Sequence, residues 1–208
     1  MSALRCLSEV ALDSGDLDTA RQLAQAAIDL ARETNHRRQL AIAIATLADV
    51  DRADGTPTRA IERGAEALDL VRQANDNPVE AYLLIGLSEA HADLGDHETA
   101  YAQADRAVAL GEAGRYTSIA GRALTARARA GLLAGHRDAA ATDARRAAET
   151  LRACGHLLGE ARALVALGHA TGGPAGADAW RAALALFEAA AVPEAAAVRS
   201  LLDHDPGR

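Results

Sequence analysis

Arg122 and Arg162 stand 40 residues apart, and Arg129 follows the first of them by seven. A guanidinium is a planar fork of donors that matches a carboxylate or a phosphate, so these three are candidates for gripping one anionic group. An acidic set runs on the same step: Glu9, Asp49 and Glu89. Such a row suits a basic group. Other chemistries find less support. The chain has no phosphate-cradling Gly-x-x-x-x-Gly-Lys-Ser/Thr run, no Gly-x-Gly-x-x-Gly turn and no Gly-x-Ser-x-Gly elbow. Its seven histidines include no His-Glu-x-x-His pair, and His91 and His97 are split by a predicted turn rather than sharing a helix face. Cys6 reads as a small buried hydrophobe. Ser8 and Ser88 read as small packing residues rather than nucleophiles. No catalytic residue, metal or cofactor is implied.

The 40-residue step organises the whole chain. Gly15, Gly55, Gly95 and Gly135 share it, as do Ala20, Ala60, Ala100 and Ala140. Ala27, Ala67, Ala107 and Ala147 form a third series, and Leu4, Ile44, Leu84 and Leu124 a fourth. With 17 glycines in 208 residues, three further glycines on one register would arise by chance roughly once in two thousand trials, so the chain is an internal repeat. Apolar residues make up 50% of the chain and aromatics only 2%. Alanine and leucine dominate that share and favour helix, while the β-branched and aromatic residues that strands want are scarce.

Each repeat reads as two antiparallel helices. In the second, helix A spans about Arg38 to Ala53, Gly55 and Thr56 break it, and Pro57 suits the first turn of helix B. Helix B spans about Thr58 to Ala74 and closes at Asn75. Asn35, Gly114 and Gly155 are predicted to close the other B helices, because such residues accept the left-handed conformation. Asp16 and Asp96 are predicted N-caps. The repeats fall at about 1–36, 37–76, 77–116, 117–156 and 157–192, with a terminal helix over 193–203 opened by Pro193. In the fifth, Trp180, Ala183 and Leu184 match Ala24, Ala27 and Ile28 at a step of 156. About one helical turn is therefore missing around Gly172, Gly173 and Pro174. His204 to Arg208 is expected to fray. By register the first A helix should begin ahead of Met1, so the chain reads as a piece of a longer protein, with its first apolar row near Ala3, Leu7 and Val10 partly exposed.

Leu7-Ser8, Leu47-Ala48, Leu87-Ser88 and Leu167-Gly168, together with the two alanine series, resemble the tetratricopeptide repeat (TPR). Alanine at those positions lets helix axes approach closely. The period exceeds that family's usual ~34 residues. Ala11, Asp51, His91 and Gly131 occupy its tyrosine position, and Arg127 interrupts the leucine series. HEAT-type repeats share the length but lack the Gly-then-Ala spacing. The ending Trp180 to Phe187 and the Ala/Arg/Asp-rich composition are similar to the carboxy-terminal TPR regions of large actinobacterial transcriptional regulators of the SARP and LuxR types.

The resemblance implies an all-α, right-handed superhelical solenoid and a non-enzymatic binding module, the sensing or autoinhibitory part of a transcriptional regulator. The rivals are a free-standing adaptor and a small-molecule receptor. In a stacked hairpin of this kind the row facing the concave groove would be Arg5, Glu9 and Leu12, then Ile42, Asp49 and Arg52. It continues through Tyr82, Ile85, Glu89 and Asp93, then Arg122, Thr125, Arg129 and Leu132, and ends with Arg162, Val165 and His169. Arg63 and Arg145 fall on the convex side. The groove positions that clamp chaperone tails in the family hold Arg5, Glu9, Ala45 and Asp49, which do not fit that ligand. The expected partner is a protein or peptide in the groove, with another domain of the same full-length protein as one candidate. Self-association through exposed solenoid ends is a second expectation. A net charge of −7 argues against direct contact with nucleic acid. No apolar run reaches the length of a membrane span, and two distant cysteines suit a reducing cytoplasm.

Overall fold

A computed structural model describes residues 2–72 and 74–204. The fraying expected at the carboxy end concerns residues that, past His204, lie outside this range. Eleven helices occupy the described residues, and no strand is found among them: α1 (Ser2–Asp13), α2 (Leu17–Glu33), α3 (Arg37–Ala53), α4 (Pro57–Arg72), α5 (Asn77–Asp93), α6 (His97–Ala113), α7 (Thr117–Leu133), α8 (Arg137–Ala153), α9 (Leu157–Thr171), α10 (Gly173–Ala190) and α11 (Glu194–Asp203). Each helix packs on the next, and each odd helix through α7 also touches the following odd one. The odd helices therefore line the inside of a solenoid, and the even ones lie outside.

The turns reveal a finer rhythm than the glycine register. Gly15, Asn35, Gly55, Asn75, Gly95, Arg115, Gly135 and Gly155 all have φ between 52° and 84°, so one left-handed residue recurs every 20 positions. Each closes its helix with the same pair of backbone bonds; at the first turn the Asp16 N–H donates to Ala11 at 2.9 Å and the Gly15 N–H to Leu12 at 3.0 Å. This corrects the expected stop at Gly114. Gly114 is right-handed at φ −86° and the left-handed residue is Arg115. A Cβ on Gly114 would run into the Tyr116 ring, so a larger residue there would have to push that ring aside. Asp16 and Asp96 cap as expected, accepting from the Thr19 and Thr99 N–H groups at 3.0 and 3.2 Å. The missing turn is real: α9 has 15 residues where the earlier odd helices from α3 have 17, and Gly172 and Gly173 break it with positive φ.

Alanine sets the spacing between helices. Ala20, Ala60, Ala100 and Ala140 are at most 4% exposed, and Ala27, Ala67, Ala107 and Ala147 at most 2%. Ser8 and Ser88, two repeats apart, donate from Oγ to the carbonyls of Ala20 and Ala100 at 2.7 Å, tying each odd helix to the start of its partner. Two charged groups stand where the family pattern is apolar. Asp51 is wholly buried, bonded to Arg21 at 2.5 Å and Arg63 at 2.6 Å, so Arg63 turns into the seam instead of lying free on the convex side. Arg127 reaches Asp143 through two bonds of 2.8 Å and Asp105 through one of 2.7 Å, so α6, α7 and α8 are held by a fork where a leucine would otherwise pack.

Candidate binding groove

Five odd helices bring the charged row to one concave surface, because residues four and seven apart on a helix share a face. The groove is water-accessible: side chains such as Arg52, Glu89 and Arg129 keep between 23% and 42% of their surface exposed, though protein surrounds them on most sides. The expected acidic and basic halves do not stay apart. Arg5 pairs with Glu9 within α1 at 2.5 Å. Arg52 of α3 reaches Glu89 at 2.9 Å and Asp93 at 3.2 Å on α5. Arg129 of α7 approaches the same two carboxylates from the other side, at 3.6 and 3.8 Å. Glu89 is thus the hub. Burial would raise its pKa, but Arg52, Arg129, Arg122 and Arg162 together hold it below the ordinary glutamate value. Asp49 behaves in the opposite way. Burial pushes its carboxyl up, against the pull of Arg52 and Arg122, and it accepts a 3.0 Å hydrogen bond from the Tyr82 hydroxyl. The Tyr82 phenol is itself driven far up by burial and by the Asp49 charge.

The three arginines proposed to converge are divided. Arg129 serves Glu89 and Asp93. Arg162 of α9 crosses the mouth of the groove to Asp13 at the end of α1, 2.7 Å away, and also binds Glu194 of α11 at 2.6 Å. Residues 149 positions apart meet there, so the row of odd helices curls until its last member touches its first. Nearby, a Cβ built on Gly15 would sit 3.2 Å from Pro193. Arg122 stands apart from both. Its guanidinium carbon lies 5.0 Å from the centroid of the Tyr82 ring, a cation–π contact. Among the described residues it has no ion pair and no hydrogen bond. Burial alone would lower the Arg122 pKa, yet Tyr82, Asp49 and Glu89 hold it above its usual value, so it stays charged.

The remaining members of the row differ in role. Ile85 and Thr125 are buried, with the Thr125 hydroxyl turned back to the Gly121 carbonyl at 3.0 Å. Leu12, Ile42, Leu132 and Val165 are half-buried walls. His169 sits at the end of α9, edge-on to Trp180 at 5.2 Å, and its carbonyl accepts from Arg137. Burial and the nearby Arg129 and Arg137 lower its pKa. His156, which caps α9 by accepting from the Gly159 N–H at 3.1 Å, is likewise lowered, by burial and by Arg122 and Arg162. The row projected from the sequence omitted His156, Asp13 and Glu194. The first lies just ahead of α9; Asp13 stands on α1 at the register of Asp93, and Glu194 of α11 reaches the groove through Arg162. Among the described residues no group of three or more His, Cys, Asp and Glu side chains gathers as a metal site would require, and no helix is long and apolar enough to cross a membrane.

A solenoid of stacked antiparallel helix pairs with a charged concave face is a TPR-like architecture. Two kinds of likeness agree with it. The tetratricopeptide repeat family matches residues 1–73. Among solved structures, the fold is similar to the apo form of RapI, with TM-score 0.72 at 13% identity over 90% of this chain and 68% of that one. A Rap protein complexed with Competence and Sporulation Factor follows, with TM-score 0.70 at 15% identity over 96% of this chain. This chain spans 61% of that one. A putative kinesin light chain from Podospora anserina, with nearly identical TPR-like repeats, gives TM-score 0.61 at 13% identity over 97% of this chain and 95% of that one. Identities this low speak for the fold. No catalytic family is indicated, and a search of curated proteins finds no match.

Proposed function

We propose that the chain is a non-enzymatic binding module whose groove receives a peptide or partner helix and pairs an acidic group of that ligand with Arg122. One observation carries this reading. Arg122 is the one cation of the described groove row that has neither a carboxylate within 4.0 Å nor a hydrogen bond, and Tyr82 braces it in place. A braced guanidinium has already lost much of its freedom, so an incoming carboxylate can gain a fork of bonds at little further ordering cost. The likeness to a Rap protein complexed with Competence and Sporulation Factor supports a groove that receives a partner molecule. Mechanically, a ligand favouring one curvature of the solenoid shifts the population toward it by its differential affinity. Arg162, which ties α1, α9 and α11, is the contact that registers that change. In a longer regulator this is a sensing or autoinhibitory carboxy-terminal part, working in the reducing cytoplasm where Cys6 and Cys154 remain thiols.

Selection from a random peptide library displayed with free carboxy termini tests the proposal. Enriched peptides should carry an acidic side chain or depend on the terminal carboxylate, and Arg122→Gln should weaken them about tenfold or more, equivalent to about 1.4 kcal/mol. Peptides that bind the variant as well as the parent would refute the role given to Arg122.

A further inference from the structure

Resting on the reading of Arg122 as the anchor of an acidic group, we infer that Asp49 is the matching cation subsite. The groove then takes a dipolar peptide, with an ammonium or guanidinium beside its acidic group. Pairing within the groove selects these two residues. Glu9 is bonded to Arg5, Glu89 and Asp93 are shared by Arg52 and Arg129, and Asp13 is bonded to Arg162. Asp49 is the one carboxylate of the described groove with no cation within 4.0 Å. One unpaired charge of each sign therefore remains, and both lie against Tyr82. The Arg122 guanidinium carbon is 5.0 Å from the ring centroid, and Asp49 Oδ2 is 3.0 Å from the hydroxyl. Tyr82 braces both while neither neutralises the other at contact distance.

Two further observations mark Asp49 as a place that receives a group. Its other oxygen, Oδ1, rests over Gly86, where a Cβ would come within 3.1 Å of it. The other repeats carry a side chain at that register: Cys6, Thr46, Ala126 and Ala166. With glycine there, Asp49, Tyr82 and Gly86 line a cavity of about 10 Å³ between α3, α4 and α5. That is room for one group the size of a water or an ammonium. Beyond Asp49 and Tyr82 the lining is alanine, glycine and leucine, so the carboxylate sets the sign of what enters. The second observation is cost. Burial pushes the Asp49 carboxyl up, and an asparagine would serve the Tyr82 hydroxyl as acceptor without that penalty. A charge that folding alone disfavours marks a functional position. Paired with Arg122 it also gives the ligand a direction, acidic group toward α7 and cation toward α3, because the reverse would oppose like charges.

Peptides enriched from the random library with free carboxy termini are the probes. Each is resynthesised with its cation neutralised (lysine to norleucine, arginine to citrulline, or an acetylated amino terminus) and, separately, with its acidic group amidated. Calorimetric titration compares these forms on the parent, Asp49→Asn and Arg122→Gln. Neutralising the cation should weaken binding to the parent about tenfold or more and change little on D49N. Amidating the acidic group should couple to Arg122 in the same way. D49N keeps the acceptor for Tyr82, and a melt at or above the parent's separates lost binding from lost folding. Gly86→Ala leaves the charge but crowds Oδ1, so it should weaken the cationic peptide several-fold and leave the neutralised one unchanged. Enriched peptides without a cation would mean that the cavity takes only water, and would overturn the inference. Equal loss on the parent and D49N would do the same, as would a G86A variant that binds like the parent. Where the coupling to Arg122 survives those results, the cation subsite alone falls. Where neither coupling is found, or no peptide is enriched, the reading of the groove falls with it.

Discussion

The seams between helices and the concave groove are built from the same repeat, yet they use it in opposite ways. In the seams the repeating residue is alanine, nearly every one fully buried, and the few ions are locked into short pairs such as Asp51 with Arg21 and Arg63. In the groove the recurring residues are Arg, Asp and Glu, partly exposed and shared among several partners at distances from 2.5 to 3.8 Å. Close packing tolerates little change of volume, whereas solvated charges exchange partners at small cost. The seam therefore specifies the fold and the groove is free to specialise. Substitutions in the first should act on stability and those in the second on binding.

The largest expected effect is in the seam. Replacing Arg21 and Arg63 together by alanine leaves the Asp51 carboxylate wholly buried with neither partner, and stability should fall by about 3–5 kcal/mol. Adding Asp51→Leu to that pair should recover most of the loss, because a buried ion cluster can be replaced by an apolar group of similar volume. Urea denaturation of the three proteins distinguishes the outcomes; a double variant as stable as the parent would show that Asp51 is reached by water.

Next comes packing. Ala100 is fully buried and its carbonyl accepts the Ser88 hydroxyl, so Ala100→Leu should cost on the order of 1–3 kcal/mol through overpacking. A thermal melt at the parent's temperature would break the claim that alanine sets the helix spacing.

These two sites also show what was legible beforehand. The Ala100 series, the glycine turns and the lost helical turn at Gly172 follow from spacing, since a register is a one-dimensional property. Asp51 and Arg127 were visible as departures from the pattern, but their partners were not: Arg21 is 30 residues from Asp51. The groove row was readable as a set of positions, because helical periodicity fixes which residues share a face. Its pairing was not readable. Whether Arg129 faces an empty groove or Glu89 depends on superhelix curvature, and so does the meeting of Arg162 with Asp13. Curvature accumulates from small rotations between repeats that no single residue encodes. The 20-residue rhythm of left-handed turns was obscured because three residue types, Gly, Asn and Arg, fill it.

In the groove the expected effects are smaller. Arg162→Ala removes partly exposed ion pairs to Asp13 and Glu194, each contributing about 0–1 kcal/mol to stability. Its signature should be shape rather than melting temperature: faster hydrogen exchange at the α1 carboxy end and a larger radius in small-angle scattering. Parental exchange and radius would show that α1 and α9 are held by the rest of the solenoid and that Arg162 is incidental.

The smallest and most diagnostic effect is the opposed pH response of two groove carboxylates. Glu89 has a folded-state pKa below its unfolded one. Its stabilisation is therefore complete above the ordinary glutamate pKa of about 4.3 and is lost as pH falls through the depressed value. Asp49 has a raised pKa, so it favours the folded state when protonated, and that contribution fades as pH rises through its folded value. At neutral pH, Glu89→Gln should thus destabilise, while Asp49→Asn, which keeps an acceptor for the Tyr82 hydroxyl, should stabilise. Both differences should shrink on acidification, as the parent carboxyls become neutral like their amide replacements. Denaturant titrations from about pH 3 to about pH 8 would show the two curves approaching the parent from opposite sides. If both variants shifted stability in the same direction, the groove would be responding to net charge alone, and the division between a four-arginine hub at Glu89 and a desolvated Asp49 would fail.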